Sequence, residues 1–291
     1  MRYWILIISL ISLQIPAQVG AGEFLTIYQP PSLDTSLKNG LTGTRSPIEL
    51  ADSFLGIPYR EDGTLDHRNR FTLFEKPDKI FTAPGLNCSG MVLSMSRYLL
   101  RVNFTIDQAQ RDRLGDSGPN SPKGRSWDFG WDLILNLTEG APRKIIFPQG
   151  PIDLPPQADA ENLRGFDLLD EKAWRAVLKQ IRPGYLYLAS FSRGLSGQKG
   201  RLLHYHVAVI LADGNGHVYM YQSTHNSGSS RMSLNSTPGL QRFIQAFGPL
   251  GVLDKKILIV ETPLTRPTEI IPIHVLTGCH EATIVHPGYM P

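Results

Sequence analysis

The sequence predicts an α+β domain in which a helix packs on an antiparallel sheet. Helical apolar spacing comes first along the chain, at Ile48, Ala51, Phe54 and Leu55 and again at Met91, Val92, Met95 and Leu99. Short apolar runs bounded by turn residues follow, two of them flanking Gly214-Asn215-Gly216 as a hairpin. Helices followed by sequentially adjacent strands indicate segregated layers rather than alternating β-α-β units.

Taken in order, residues 1–21 read as a secretory signal, with Arg2, an apolar run from Trp4 to Leu13 and a small-residue cleavage site at Val19-Gly20-Ala21. That run is short for a bilayer span and no later segment reaches about 18 apolar residues, so no integral membrane segment is expected after its removal. The expected location is secreted or periplasmic. Residues 22–45 are an irregular lead-in rich in Pro, Gly, Ser and Thr. Ser46 then caps a short helix, with Pro47 at its first position, Glu49 completing a capping box and Gly56 beyond its end. Residues 61–84, charged and without period, read as an inserted loop. Asn87 caps the next helix and places Cys88 at or beside its first position.

Leu114 to Pro122 is a Gly/Pro/Ser break, followed by an aromatic cluster at Trp127, Phe129 and Trp131. The Pro-rich stretch from Phe147 to Pro156 is expected to cross the surface. Asp170 begins a helix with Trp174, Val177, Leu178 and Ile181 on one face, stopped by Pro183-Gly184. Tyr185 to Ala189 is a strand, and His204 to Leu211 with His217 to Ser223 make the hairpin. Thr237-Pro238 opens a last helix carrying Leu240, Phe243, Ile244 and Phe247. Ile257 to Val260 and Ile270 to Leu276 read as C-terminal strands, so that a domain over 46–250 is followed by strands and a tail over 251–291.

At 291 residues with 41% hydrophobic content the chain is long enough to bury a core. A net charge of +3 and a pI near 8.8, with Lys and Arg scattered, give no footprint for nucleic acid. His274, Cys279, His280 and His286 match no familiar zinc spacing, so neither metal nor cofactor is expected. Asp128 and Asp132 are a weak carboxylate pair for glycoside cleavage, four-residue spacing being common on any helix.

The chemistry concentrates at Cys88. At a helix start the unpaired N–H groups and the dipole favour a thiolate, and the same N–H groups suit a developing oxyanion. Gly90 is expected to keep that approach uncluttered. An imidazole base is also needed, and His206 at the head of the hairpin strand is the candidate, with His204, two positions earlier on the same face, as its competitor. A three-residue hairpin loop at 214–216 pairs Ala208 with Gln222 and puts Gln222 on the face of His206, whereas a four-residue loop favours Tyr221 as the residue that orients the ring. Cys88 and Cys279 are the two cysteines of the chain, so a disulfide is the competing account of Cys88.

Four segments occur together in one order: Leu55-Gly56-Ile57-Pro58-Tyr59 within Ala51 to Arg60, Asn87 to Val92, Arg182-Pro183-Gly184, and His206 to Ser223. In this the chain resembles the NlpC-type papain-like peptidoglycan endopeptidases. The resemblance implies a papain-like α+β core and a secreted cysteine hydrolase that cuts amide bonds in peptidoglycan stem peptides through a thioacyl intermediate. It assigns Cys88 as nucleophile, His206 as base and Tyr59 to the rim of the site, and implies a polar residue that orients the ring, for which the hairpin register selects Gln222; Tyr59, Asn87 and Ser89 are expected to contact substrate. Where the family commonly has Asp before the nucleophile this chain has Asn87, and Pro-Gly-Asp becomes Pro183-Gly184-Tyr185. The interval between Cys88 and His206 exceeds the family core, which marks about 116–180 as an insertion. Those departures motivate a rival reading as an inert wall-binding pseudoenzyme; a third reading keeps the pair but transfers the acyl group, since an amine or alcohol can resolve the thioester as water does.

Overall fold

A computed structural model describes residues 46–113, 129–155, 158, 163–195, 198–248 and 254–264. Its centre is an antiparallel sheet in the order β4-β3-β10-β6-β7-β8-β9, with β5 pairing beside β10. The strands are β3 (Lys144–Phe147), β4 (Gly150–Asp153), β5 (Phe166–Asp167), β6 (Tyr185–Leu195), β7 (Gln198–Ala212), β8 (Val218–Thr224), β9 (Gly228–Ser233) and β10 (Lys255–Pro263). A separate two-stranded hairpin joins β1 (Gly63–Leu65) to β2 (Phe71–Leu73).

Strand alternation divides the core in two. Leu188, Val207, Val209 and Val260 face one side, covered by α1 (Pro47–Asp52), α2 (Cys88–Leu100) and α4 (Phe129–Leu137). Ala189, Phe191, Ala208 and Ile259 face the other, covered by α5 (Glu171–Leu178) and α6 (Thr237–Ala246). A third short helix, α3 (Ile106–Ala109), packs with α4. The α+β class therefore holds, with helices on both faces of the sheet rather than on one.

Local signals placed the helices. Ser46 and Glu49 form the capping box of α1, Asn87 Oδ1 accepts the Gly90 N–H at 2.7 Å to open α2, Asp170 caps α5, and Ser236 rather than Thr237 caps α6. Helix α2 is buried along nearly its whole length, because β7 packs on one side and β1 on another. Its Arg97 is buried too, and donates to the carbonyls of Leu65, Asp66 and Phe104. Burial lowers that guanidinium to about 10.

Several expectations change. Residues 61–84 are not a plain loop: they hold β1 and β2, strands too short to show a period of two. A Cβ at Gly90 would overlap the Gly63 carbonyl oxygen, so this glycine seats α2 on β1 instead of clearing an approach to the thiol. The stretch expected to cross the surface does so over its described residues, but as structure: Phe147 ends β3 and Gly150–Asp153 form the mostly exposed edge strand β4. Strand β9, Ser-rich and poor in apolar residues, gave no strand signal at all, yet it forms six pairs with β8. The described parts of 116–180 supply α4, β3, β4, β5 and α5 to the common sheet and both its faces. Beyond residue 250, β10 lies inside the sheet between β3 and β6. The signal, lead-in, Trp127, Asp128, Ile270 to Leu276, His274, Cys279, His280 and His286 lie outside the described residues. Among the described residues no helix is long and apolar enough to cross a membrane.

Candidate active site

The site forms where two strands part. The β7–β8 ladder runs from Ala212↔Val218 to Val209↔Tyr221 and stops short of His206, while β8 continues with β9 to Thr224↔Gly228. Asp213 N–H bonds to the His217 carbonyl, which closes a three-residue loop at 214–216 with Gly216 at φ +82°. That register sets Gln222 level with Ala208. Ser223 Oγ then donates to the Leu86 carbonyl at 2.9 Å, tying the freed end of β8 to the residues just before Cys88.

Into this gap comes the first residue of α2. Cys88 is a partly exposed free thiol beside the His206 side chain and the Val207 backbone N–H, on the stretch of β7 that β8 has left. His206 Nε2 stands 2.9 Å from Gln222 Oε1. An amide oxygen only accepts, so Nε2 carries the proton and Nδ1 is the nitrogen left for the thiol. Burial opposes a thiolate at Cys88, but the His206 hydrogen bond and charge, with the Val207 N–H and Ser89 hydroxyl, outweigh it and hold the thiol below its ordinary range. Burial likewise disfavours an imidazolium, yet Cys88 and Gln222 hold His206 above the usual histidine value. The two shifts have opposite signs and together favour the thiolate–imidazolium pair.

His204 is brought elsewhere. Phe191 pairs with His206 and Ser192 with His204, so Tyr205 is an extra residue, a β-bulge, between them. The bulge turns His204 to the opposite face of the sheet from His206, which corrects the expectation that they share one. There its Nδ1 meets Ser190 Oγ at 2.7 Å and its ring stacks on Trp131. Burial pushes it down to about 4, so it stays neutral. Phe129 and Trp131 are buried core residues of α4, and Asp132 is buried with them and accepts the Arg113 N–H.

Tyr59 reaches the site through a parallel bridge between Tyr59 and Leu86. Burial and the charges of Glu61 and Cys88 raise its phenol, and its hydroxyl donates to Glu61 Oε2 at 3.2 Å. Asn87 uses its Oδ1 as helix cap, and Ser89 is buried with its Oγ 3.9 Å from Cys88 Sγ. Both therefore shape the nucleophile's surroundings. Tyr221, the alternative to Gln222, turns away and donates to Asp52 Oδ1 at 2.8 Å, beside Arg231.

Against known proteins, no family model matches the chain and no curated protein matches it. Among solved structures it is similar to LPG0564 from Legionella pneumophila, a crystal structure carrying the family label DUF1460, at 12% identity and a TM-score of 0.40, over 79% of this chain and 96% of that one. A likeness at that level says nothing of activity.

Residue spacing had missed several neighbours. The ring of Phe191 lies edge-on to His206 with centroids 5.1 Å apart, and Phe247 lies at 5.5 Å. The ring of His225 lies against that of Tyr59, with centroids 3.9 Å apart and planes tilted by 34°, and its Nε2 is 3.8 Å from Glu61. Glu61 sits two residues from Tyr59 and His225 three from Gln222, so their nearness in sequence was a usable signal. Phe247 had none, because helical spacing marks it only as core. Among the described residues no cluster of His, Cys, Asp and Glu is arranged to hold a metal ion.

Proposed function

We propose that this protein is an exported cysteine hydrolase that cleaves amide bonds in peptidoglycan stem peptides, with an NlpC-type papain-like core. The observation that carries the chemistry is the His206 side chain standing beside Cys88 with its Nε2 2.9 Å from Gln222 Oε1. The wall-peptide substrate and the family rest on the sequence resemblance.

In this reading the Cys88 thiolate attacks the scissile carbonyl carbon and forms a C–S bond. The oxyanion so produced accepts the Cys88 N–H at the start of α2, a donor worth roughly 3 kcal/mol in acyl transfer. His206, as imidazolium, gives its Nδ1 proton to the amide nitrogen, the C–N bond breaks and the amine leaves. Water then adds to the thioester as neutral His206 takes its proton; the acid departs and the thiolate–imidazolium pair returns. Gln222 keeps Nε2 protonated throughout.

The test combines two measurements. Cys88→Ala is expected to fold and to release no products from purified wall peptides, followed by mass spectrometry. Alkylation of Cys88 is expected to proceed well below pH 8 and to lose that feature in His206→Ala. Retained hydrolysis in Cys88→Ala would sink the proposal. Wall binding without peptide release in the unaltered protein favours the pseudoenzyme, and products carrying an added amine or alcohol favour acyl transfer.

A further inference from the structure

Besides its edge contacts with Cys88 and Gln222, the imidazole of His206 meets two phenyl rings. One belongs to Phe191 of β6. The other contact comes from Phe247, the residue that ends α6, with ring centroids 5.5 Å apart and planes tilted by 39°. Phe247 also stacks on Phe191 at 4.7 Å and lies 5.0 Å from Phe243, so the three phenyl rings form one wall behind the base.

A helix end is a poor anchor for a side chain, because its last carbonyls lack intrahelical donors and the terminal turn frays. This one is clamped. Lys255, the first residue of β10, sends its ammonium to the Phe247 carbonyl at 2.6 Å and to the Gly248 carbonyl at 2.9 Å. A cation at this position meets the negative end of the helix dipole and supplies the missing donors. Lys255 is itself fixed by its ladder pairing with Arg193 of β6, close to Phe191.

We infer that Phe247 is a positioning residue for His206, and that Lys255 positions Phe247. The inference rests on His206 acting with Cys88 as proposed above. Phe247 keeps water from the ring, so the Nε2–H···Oε1 bond to Gln222 lies in a low-dielectric setting where it is strong, and the ring is held with Nδ1 toward the thiol. The groups that face the imidazole are the Cys88 thiol from α2, the neutral amide of Gln222 from β8, and phenyl rings from β6 and α6; Tyr59 stands beyond Cys88, and the Lys255 charge is engaged by carbonyls.

Two readouts test this. In 15N-labelled protein, the His206 Nε2–H is expected as a slowly exchanging resonance, assigned by its loss in His206→Ala. It is expected to vanish in Phe247→Ala, to persist in Phe247→Leu and to broaden in Lys255→Met. In parallel, alkylation of Cys88 at pH 6 is expected to slow about tenfold in Phe247→Ala, an inflection raised by about one unit, with a smaller change of the same sign in Lys255→Met and little in Phe247→Leu. A resonance that persists in Phe247→Ala, or that is absent from the unaltered protein, overturns the inference. Should Phe247→Ala not fold, Lys255→Met decides alone, and an unaltered resonance and inflection there overturn it. Absence of low-pH alkylation in the unaltered protein instead defeats the proposed function, and the resonance then still reports on Phe247 by itself.

Discussion

At the scale of single residues, the site is a chain of hydrogen bonds in which each member sets the state of the next. Gln222→Ala removes the acceptor of Nε2–H and leaves a buried donor unpaired, a loss of about 1–3 kcal/mol. The expected result is kcat/KM lowered roughly 5- to 150-fold with the fold retained, measured on wall peptides beside a thermal melt. The pH dependence follows from two opposite shifts. Because the folded thiol is held low and the folded imidazole high, the ion pair occupies the window between them. On the acid side Cys88 is protonated and its contribution is lost as pH falls through its lowered value; on the alkaline side His206 loses its proton as pH rises through its raised value. A bell-shaped kcat/KM profile is therefore expected, and a single acid limb would show that His206 is not the proton donor. His204→Gln is expected to leave the Cys88 alkylation inflection where it is, since the bulge at Tyr205 has placed that ring across the sheet. A shifted inflection in that variant would return His204 to candidacy.

At the scale of elements, the nucleophile's position depends on how α2 is seated. Its first turn is fixed by Asn87, whose N–H also bonds to the Gly63 carbonyl at 2.9 Å, and by the glycine contact one residue beyond Ser89. Gly90→Ala forces helix and strand apart, and overpacking of this kind costs roughly 1–3 kcal/mol. Lower thermal stability together with a raised Cys88 inflection is the expected pair of results; unchanged stability would mean that β1 yields without cost. The helix caps and the hairpin loop were legible because they depend on residues three or four apart. Gln222 was legible for the same reason, the loop length setting its register against Ala208. The bulge was not: Ser192, His204 and Tyr205 carry no local mark that one residue is extra, and only the pairing of β6 with β7 creates it.

At the scale of the whole molecule, β10 links the parts. It pairs with β6 along its length and with β3 and β5 on its other side, and Lys255 at its start clamps the end of α6. A boundary at residue 250, which sets the C-terminal strands apart from the domain, thus cuts the sheet. A chain ending at 250 is expected to be insoluble or unfolded, whereas one ending at 264 keeps the sheet; circular dichroism and melting of the two truncations check this. Cooperative melting of the shorter chain would show that β6 tolerates being an edge. The two faces of the sheet also divide the work. Helix α2 brings the nucleophile from one face, while Phe191 and Phe247 support the base from the other.

By itself the sequence determined the α+β class and most helix starts, and it narrowed the candidate site to Cys88, His206 or His204, and Gln222 or Tyr221. Each of these depends on spacing within one element or across one tight turn, where periodicity and turn geometry act over a few residues. Only the tertiary structure decided which face His204 takes, that β9 exists, and that Phe247 and Lys255 stand behind the base. These depend on contacts between elements far apart in the chain, and on strand pairing that satisfies backbone groups whatever the side chains, so no local pattern records them.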